Sequence, residues 1–249
     1  MEALLDTTII IERIFKRKYK EAIGDLIKKC DCGISTYVLG EFKSNIVKDF
    51  VTLYNIMLVE ESLDGVRDSI NDNVFYRSYQ RVYYVYNDLC KMYNNNYQLI
   101  KVELETYGDR LERRAKVGLS LNMLNETECH RAEAEVVCKE GKMKILGVNC
   151  TKEDTFCNRC AFWDKVKAIV YDLEKEKGIP SKMKEPLKKL NQENEIPAGN
   201  ACRSLGDCII ALEALETTQK KVYTTNVKDF KPISDYIGEE VGEINCNKI

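Results

Sequence analysis

Residues Ser204–Lys231 read S-L-G-D-C-I-I-A-L-E-A-L-E-T-T-Q-K-K-V-Y-T-T-N-V-K-D-F-K, and this stretch decides the fold class. From Cys208 to Leu215 only Glu213 is not apolar. A helix that is apolar almost all round is a buried helix. Asp207 opens it, directly after Gly206. Val222–Thr225 is a short β-branched and aromatic run that favours a strand, and Asn226 and Asp229 follow it. A carboxylate opening a buried helix, then a strand with a polar tip, is how open α/β sheets expose chemistry at strand ends. A structural reading competes. Ser204-x-x-Asp207 also fits a capping box with Asp in place of Glu, and an acid in the first turn suits the helix dipole.

The start of the chain repeats the pattern. Glu2–Asp6 is a short apolar run that ends at an acid. Apolar residues recur through Ile9–Lys29 with helical spacing, which predicts an amphipathic helix with Thr8 as its N-cap. Cys32–Ser35 reads as a second strand, and Ser35 or Thr36 can cap the next helix, which carries Glu41. Strand, helix, strand, helix in this order predicts a parallel sheet. In such a sheet the strand C-termini and the following helix N-termini share one edge. Asp6, Glu41, Asp207 and the Asn226–Asp229 segment are therefore expected to converge. Converging acids without paired cations call for a counterion, and hard oxygen ligands favour Mg²⁺ or Mn²⁺. A metal-activated water is then the expected nucleophile.

The middle of the chain differs in character. Tyr76, Tyr79, Tyr83, Tyr86, Tyr93 and Tyr97 fall three or four apart, with Cys90 filling a gap, so Val66–Tyr93 reads as one long helix. The stripe is either a helix–helix seam or a surface on which unpaired bases stack. Gln98–Gly118 reads as a second, highly charged helix. Val136–Lys139 and Met143–Val148 flank Glu140-Gly141 as a β-hairpin with its turn. Cys138, Cys150, Cys157 and Cys160 surround this hairpin, and Cys157-x-x-Cys160 precedes an amphipathic helix over Phe162–Lys175. Four such thiolates suit a structural Zn²⁺, and Cys129 or His130 could replace one of them. Buried free cysteines are the alternative. Lys139, Lys142 and Lys144 on the hairpin have few acids among them, so they are candidate contacts to a nucleic-acid backbone, or else a solvated face.

The composition removes other classes. Net charge is -2, so no global pull toward nucleic acid or membrane exists and any nucleic-acid affinity must be local. The single histidine, His130, excludes mechanisms that need two. No apolar stretch is long enough to cross a bilayer, and no membrane partner is expected. Eleven cysteines without a secretory signal point to reduced thiols and a cytoplasmic protein.

Four segments carry a family resemblance. L-L-D-T at Leu4–Thr7, S-T-Y-V-L-G-E-F at Ser35–Phe42, L-G-D-C-I-I-A-L at Leu205–Leu212 and Y-T-T-N-V-K-D-F at Tyr223–Phe230 resemble, in order, the motifs of PIN-domain nucleases. The resemblance implies a three-layer α/β/α fold with a mainly parallel sheet. The core would come from residues 1–62 and 196–249. Residues 63–195 would be an inserted helical segment with a Cys-rich zinc unit at about 128–160. It also implies a Mg²⁺- or Mn²⁺-dependent endonuclease, most often acting on RNA, here single-stranded. Asp6, Glu41 and Asp207 match the family's three main acids, and Asp229 or Asn226 takes the fourth place. A DNA nuclease of the same fold and a non-catalytic binding scaffold remain as alternatives. An inhibitor protein or a second copy of the chain are further partners open to such a fold.

Overall fold

Opposite ends of the chain meet in one sheet. The computed structural model describes residues 1–15, 18–73, 76–116, 122–151 and 157–244, with the side chains of 77 and 107–116 excepted. In chain order come β1 (Ala3–Leu5), α1 (Thr7–Ile14), α2 (Lys20–Lys29), β2 (Cys32–Ser35), α3 (Thr36–Phe42), α4 (Lys48–Met57), α5 (Leu63–Asn71), α6 (Arg77–Met92), α7 (Tyr97–Lys116) and β3 (Asn122–Leu124). There follow β4 (Glu135–Lys139), β5 (Lys142–Leu146), α8 (Arg159–Val166), α9 (Ser181–Lys188), α10 (Asn200–Ser204), α11 (Gly206–Ala214), β6 (Lys221–Thr224), α12 (Val227–Ile237) and β7 (Glu240–Glu243). These elements form two units, one of residues 1–41, 120–132 and 149–249, the other of residues 42–119 and 133–148.

The first unit is an α/β body. Its five-stranded sheet has the order β3-β2-β1-β6-β7, and every pairing is parallel. β1 is central: Leu4 stands against Gly33 of β2 on one side and Val222 of β6 on the other. All of Ala3–Leu5 and Cys32–Ser35 is buried, as expected for strands covered on both faces. α11 is buried from end to end except at Asp207, which matches its apolar sequence. Ser35 caps α3, its hydroxyl accepting from the Val38 amide at 3.1 Å.

Several expected boundaries move. The helix expected over Ile9–Lys29 is two, α1 and α2, and Lys16 and Arg17 between them lie outside the described residues. α1 begins at Thr7 with Asp6 as N-cap, so Thr8 lies inside the helix and its hydroxyl turns to Asp6 instead. The segment expected as an insertion supplies β3, which extends the parallel sheet beyond β2. β7, with a charged sequence of little strand character, forms the other edge.

The second unit packs α4, α5, α6 and α7 with the β4–β5 hairpin. Glu140 and Gly141 both have positive φ, 54° and 74°, the geometry a two-residue hairpin turn requires. The Asn55 side chain on α4 bonds β5 as a strand would, donating to Met143 O at 2.9 Å and accepting from Met143 N at 3.0 Å. The helix expected over Val66–Tyr93 is broken into α5 and α6. On α6 the buried residues are Val82, Val85, Tyr86, Leu89 and Cys90, while Tyr84 is exposed, as is Tyr76 just before the helix. The aliphatic residues take the core. Tyr86 and Tyr97 enter it by giving their hydroxyls to Leu63 O and to Met57 O and Glu60 O.

One ion pair in this unit is open to test. Arg81 on α6 donates two hydrogen bonds, at 2.9 and 3.1 Å, to Asp49 on α4, whose side chain is only 2% exposed. Burial raises the Asp49 pKa, and Arg81 opposes that rise. Arg81→Met would leave a buried carboxylate without its cation and is expected to cost about 2 kcal/mol or more in urea unfolding. Adding Asp49→Asn should recover part of the loss, and a double-mutant cycle measures how much.

Candidate carboxylate site

The carboxyl ends of β1, β2 and β6 share one edge of the sheet. The chain leaves β1 for β2 on one side and later returns to β6 on the other, so this edge holds a topological switch point, where open α/β sheets bind ligands. Asp6 follows β1 directly. Glu41 lies on α3, which starts where β2 ends. Asn226 follows β6 and N-caps α12. Asp207 reaches the same place from the first turn of α11. A Cβ built on Gly206 would lie 3.5 Å from Glu41 Oε1, so α11 passes close to α3 and glycine leaves the room.

The acids are held by threonines. Asp6 Oδ2 accepts from Thr8 Oγ1 at 2.7 Å and from Thr224 Oγ1 at 2.8 Å. Thr7 Oγ1 donates to Glu41 Oε2 at 2.5 Å. Thr8 Oγ1 also accepts from the Thr225 amide, and Thr224 Oγ1 from the Asn226 amide, which ties the end of β6 to the start of α1. Asn226 Nδ2 donates to Asp229 Oδ2 at 3.1 Å, so this pair forms one polar corner.

Burial sets the electrostatics. It raises the pKa of Asp6, the two threonine hydroxyls oppose the rise, and the charge of Asp207 adds to it. Burial pushes Glu41 up to about 7, the charge of Asp6 adds to this, Thr7 opposes it, and Asp207 raises it further. Asp6, Glu41 and Asp207 thus lie within one another's field. Lys182, from α9, places its ammonium 3.2 Å from Asp207 Oδ2. Among the described residues no three His, Cys, Asp or Glu side chains close together on one point as a finished metal site. The donor set nevertheless fits a hard divalent cation, because Asp6 is buried, Glu41 is half-buried and both are repelled by further acid, and a cation would relieve these penalties.

The capping alternative for Asp207 does not describe this geometry. Ser204 Oγ donates to Asn200 O one turn back, and the start of α11 carries no side-chain cap. The single polar break in the apolar run, Glu213, is fully buried with its Oε1 accepting from Thr127 Oγ1 at 3.0 Å.

No protein-family model matches the chain, and neither a curated protein nor a solved structure does.

Of the other expected site residues, Cys129, His130, Cys150 and Cys157 line one cavity of the first unit. His130 Nε2 bonds Asn149 O at 2.9 Å. Cys138 and Cys160 are exposed, and Cys138 belongs to the second unit. Lys139, Lys142 and Lys144 are all exposed on the β4–β5 hairpin of the second unit. Among the described residues no helix is long and apolar enough to cross a membrane.

Proposed function

We propose that the chain is a PIN-like, Mg²⁺- or Mn²⁺-dependent endonuclease with a three-layer α/β/α core, acting on single-stranded RNA. The observation that carries this reading is the meeting of Asp6, Glu41 and Asp207 at the carboxyl edge of the parallel sheet, each raised in pKa or raising another's. Asp6, Glu41 and Asp207 would hold the cation, with Asn226 or Asp229 at the margin. The cation supplies a lowered pKa for water and a counter-charge for the leaving oxygen. The chain's own residues do the positioning. Thr8 and Thr224 fix Asp6 through a single oxygen, Thr7 fixes Glu41, and the pair Asn226–Asp229 lines the approach from β6. Lys182 neutralises Asp207, and with its side chain 52% exposed it can swing to a substrate phosphate once a cation takes its place.

Cleavage of uniformly labelled single-stranded RNA and single-stranded DNA, with Mg²⁺, Mn²⁺ or EDTA, tests the reading. The expected result is endonucleolytic products from RNA that appear with either cation and vanish with EDTA. Cleavage of DNA alone would keep the fold reading and exchange the substrate. Absence of cleavage on both, with cation binding intact, would favour a binding scaffold, the reading to which the Lys182–Asp207 pair and the uncharged Asn226 lend themselves.

A further inference from the structure

Four cysteines assemble in the first unit, and three of them, Cys129, Cys150 and Cys157, are among those the spacing singles out. Cys129, Cys150, Cys157 and Cys202 line one small cavity with mostly apolar walls. All four are free thiols. Cys202 is distant in sequence from the others and is brought to them by α10. Burial pushes its thiol up to about 12, Arg131 opposes this, and Cys129, Cys150 and Cys157 raise it further. Close packing around the cavity is visible at two glycines. A Cβ on Gly40 would lie 3.0 Å from Cys129 Sγ, and one on Gly199, where φ is +56°, would lie 3.2 Å from Cys150 O.

Burial keeps the Cys202 and Cys157 thiols protonated, and a cation together with the neighbouring arginines would favour their thiolates. Arg131 Nε donates to Cys129 Sγ at 3.4 Å, and Arg131 and Arg159 both line the cavity. Two guanidinium groups would offset the charge of about -2 that four thiolates and one divalent ion leave. The cavity has room for little more than a water molecule, which fits one ion and not an iron–sulfur cube. Among the described residues these side chains do not close on one point as a finished metal site, so they would draw inward on the ion and release their protons.

We propose that Cys129, Cys150, Cys157 and Cys202 form a four-thiolate site for one Zn²⁺ ion that fastens the two helices bearing Glu41 and Asp207. α10 carries Cys202 and leads through Leu205 into Gly206-Asp207. Tyr37, one turn before Glu41 on α3, donates its hydroxyl to Cys202 O at 3.1 Å. Tightening Cys202 onto Cys129 therefore tightens α11 against α3. The zinc is a positioning device beside the carboxylate site. Only this effect on activity rests on the nuclease reading.

Elemental analysis of the intact purified chain tests the site without any activity measurement. The expected content is about one zinc per chain and no iron or inorganic sulfide. Refolding with Co²⁺ in place of zinc should give the intense visible bands of tetrahedral four-thiolate cobalt. Cys202→Ser should lose most of the zinc, whereas Cys138→Ser and Cys160→Ser should keep it. Should Cys202→Ser not fold, the cobalt spectrum of the Cys138→Ser/Cys160→Ser chain decides, since it must still report four thiolates. Absence of zinc, iron with sulfide, full zinc in Cys202→Ser, or zinc lost with Cys138 or Cys160 would each overturn the proposal. Where RNA cleavage is present, Cys202→Ser should lower it at saturating Mg²⁺. Unchanged cleavage in zinc-depleted protein would overturn the positioning role alone.

Discussion

Replacing Asp207 with asparagine is expected to lower the proposed Mg²⁺- or Mn²⁺-dependent RNA cleavage about a hundredfold or more while the fold survives. Asparagine keeps the shape of the side chain and discards the charge that a cation would use. The folded state loses little. The partner of Asp207, Lys182, is half exposed, and an ion pair so solvated contributes up to about 1 kcal/mol. Against that loss, Glu41 and Asp6 are relieved of a repelling neighbour, which lowers the cost of their burial. Thermal melting within a few degrees of the parent, beside the cleavage assay, is the check. A variant that melted far lower would return Asp207 to a purely structural role. A variant that cleaved as well as the parent would remove it from the site.

Stability of the chain should fall as pH rises from 5 to 8, and Glu213→Gln should flatten much of that fall. Burial raises Glu213 from 4.5 to about 8, with Ser35 and Thr127 opposing the rise. Between those two values the unfolded chain has given up a proton that the folded chain keeps. Unfolding then releases protons, so each rise in pH favours the unfolded state, on the order of 1 kcal/mol per pH unit for this group. Below the lower value both states are protonated and the difference vanishes. Burial likewise lifts Glu239 to about 8 and Glu41 to about 7, so part of the slope remains in the variant. Glutamine fills the same space and can still accept from Thr127. At pH 5 variant and parent should unfold at similar urea concentrations, and at pH 8 the variant should be the more resistant. Equal slopes would mean that Glu213 is ionised in the folded chain.

The parallel frame was legible because its strands are short, apolar and each followed at once by a polar residue. Asp6 stands at such a junction, so its place follows from strand direction, whereas Glu41 on α3 and Asp207 at the start of α11 reach the same edge through helix packing. The edges were not legible. β7 holds Glu240 and Glu243 around a single valine and glycine, and its strand form comes from pairing with β6 and not from propensity. β3 is shorter still and mostly exposed. Cys202 carried no local signal, since it sits alone in a five-residue helix and meets its partners only through the fold. The tyrosine repeat was periodic in the right way but marked the flank of the seam, because valine and leucine one position away bury without a hydroxyl to satisfy.

The central place of β1 has a consequence for synthesis. Asp6 and Thr224, which share a hydrogen bond, are 218 positions apart. Pairings that long close slowly, since loop entropy must be spent before the contact forms. On the ribosome β1 and β2 emerge early with one flank of β1 unpaired, and β6 arrives only after the whole second unit has been made. A nascent chain that ends before α11 therefore lacks Asp207, Thr224 and Asn226 together. The acid cluster is completed in one step, when β6 docks on β1, and does not exist in a chain that carries β1 and β2 alone.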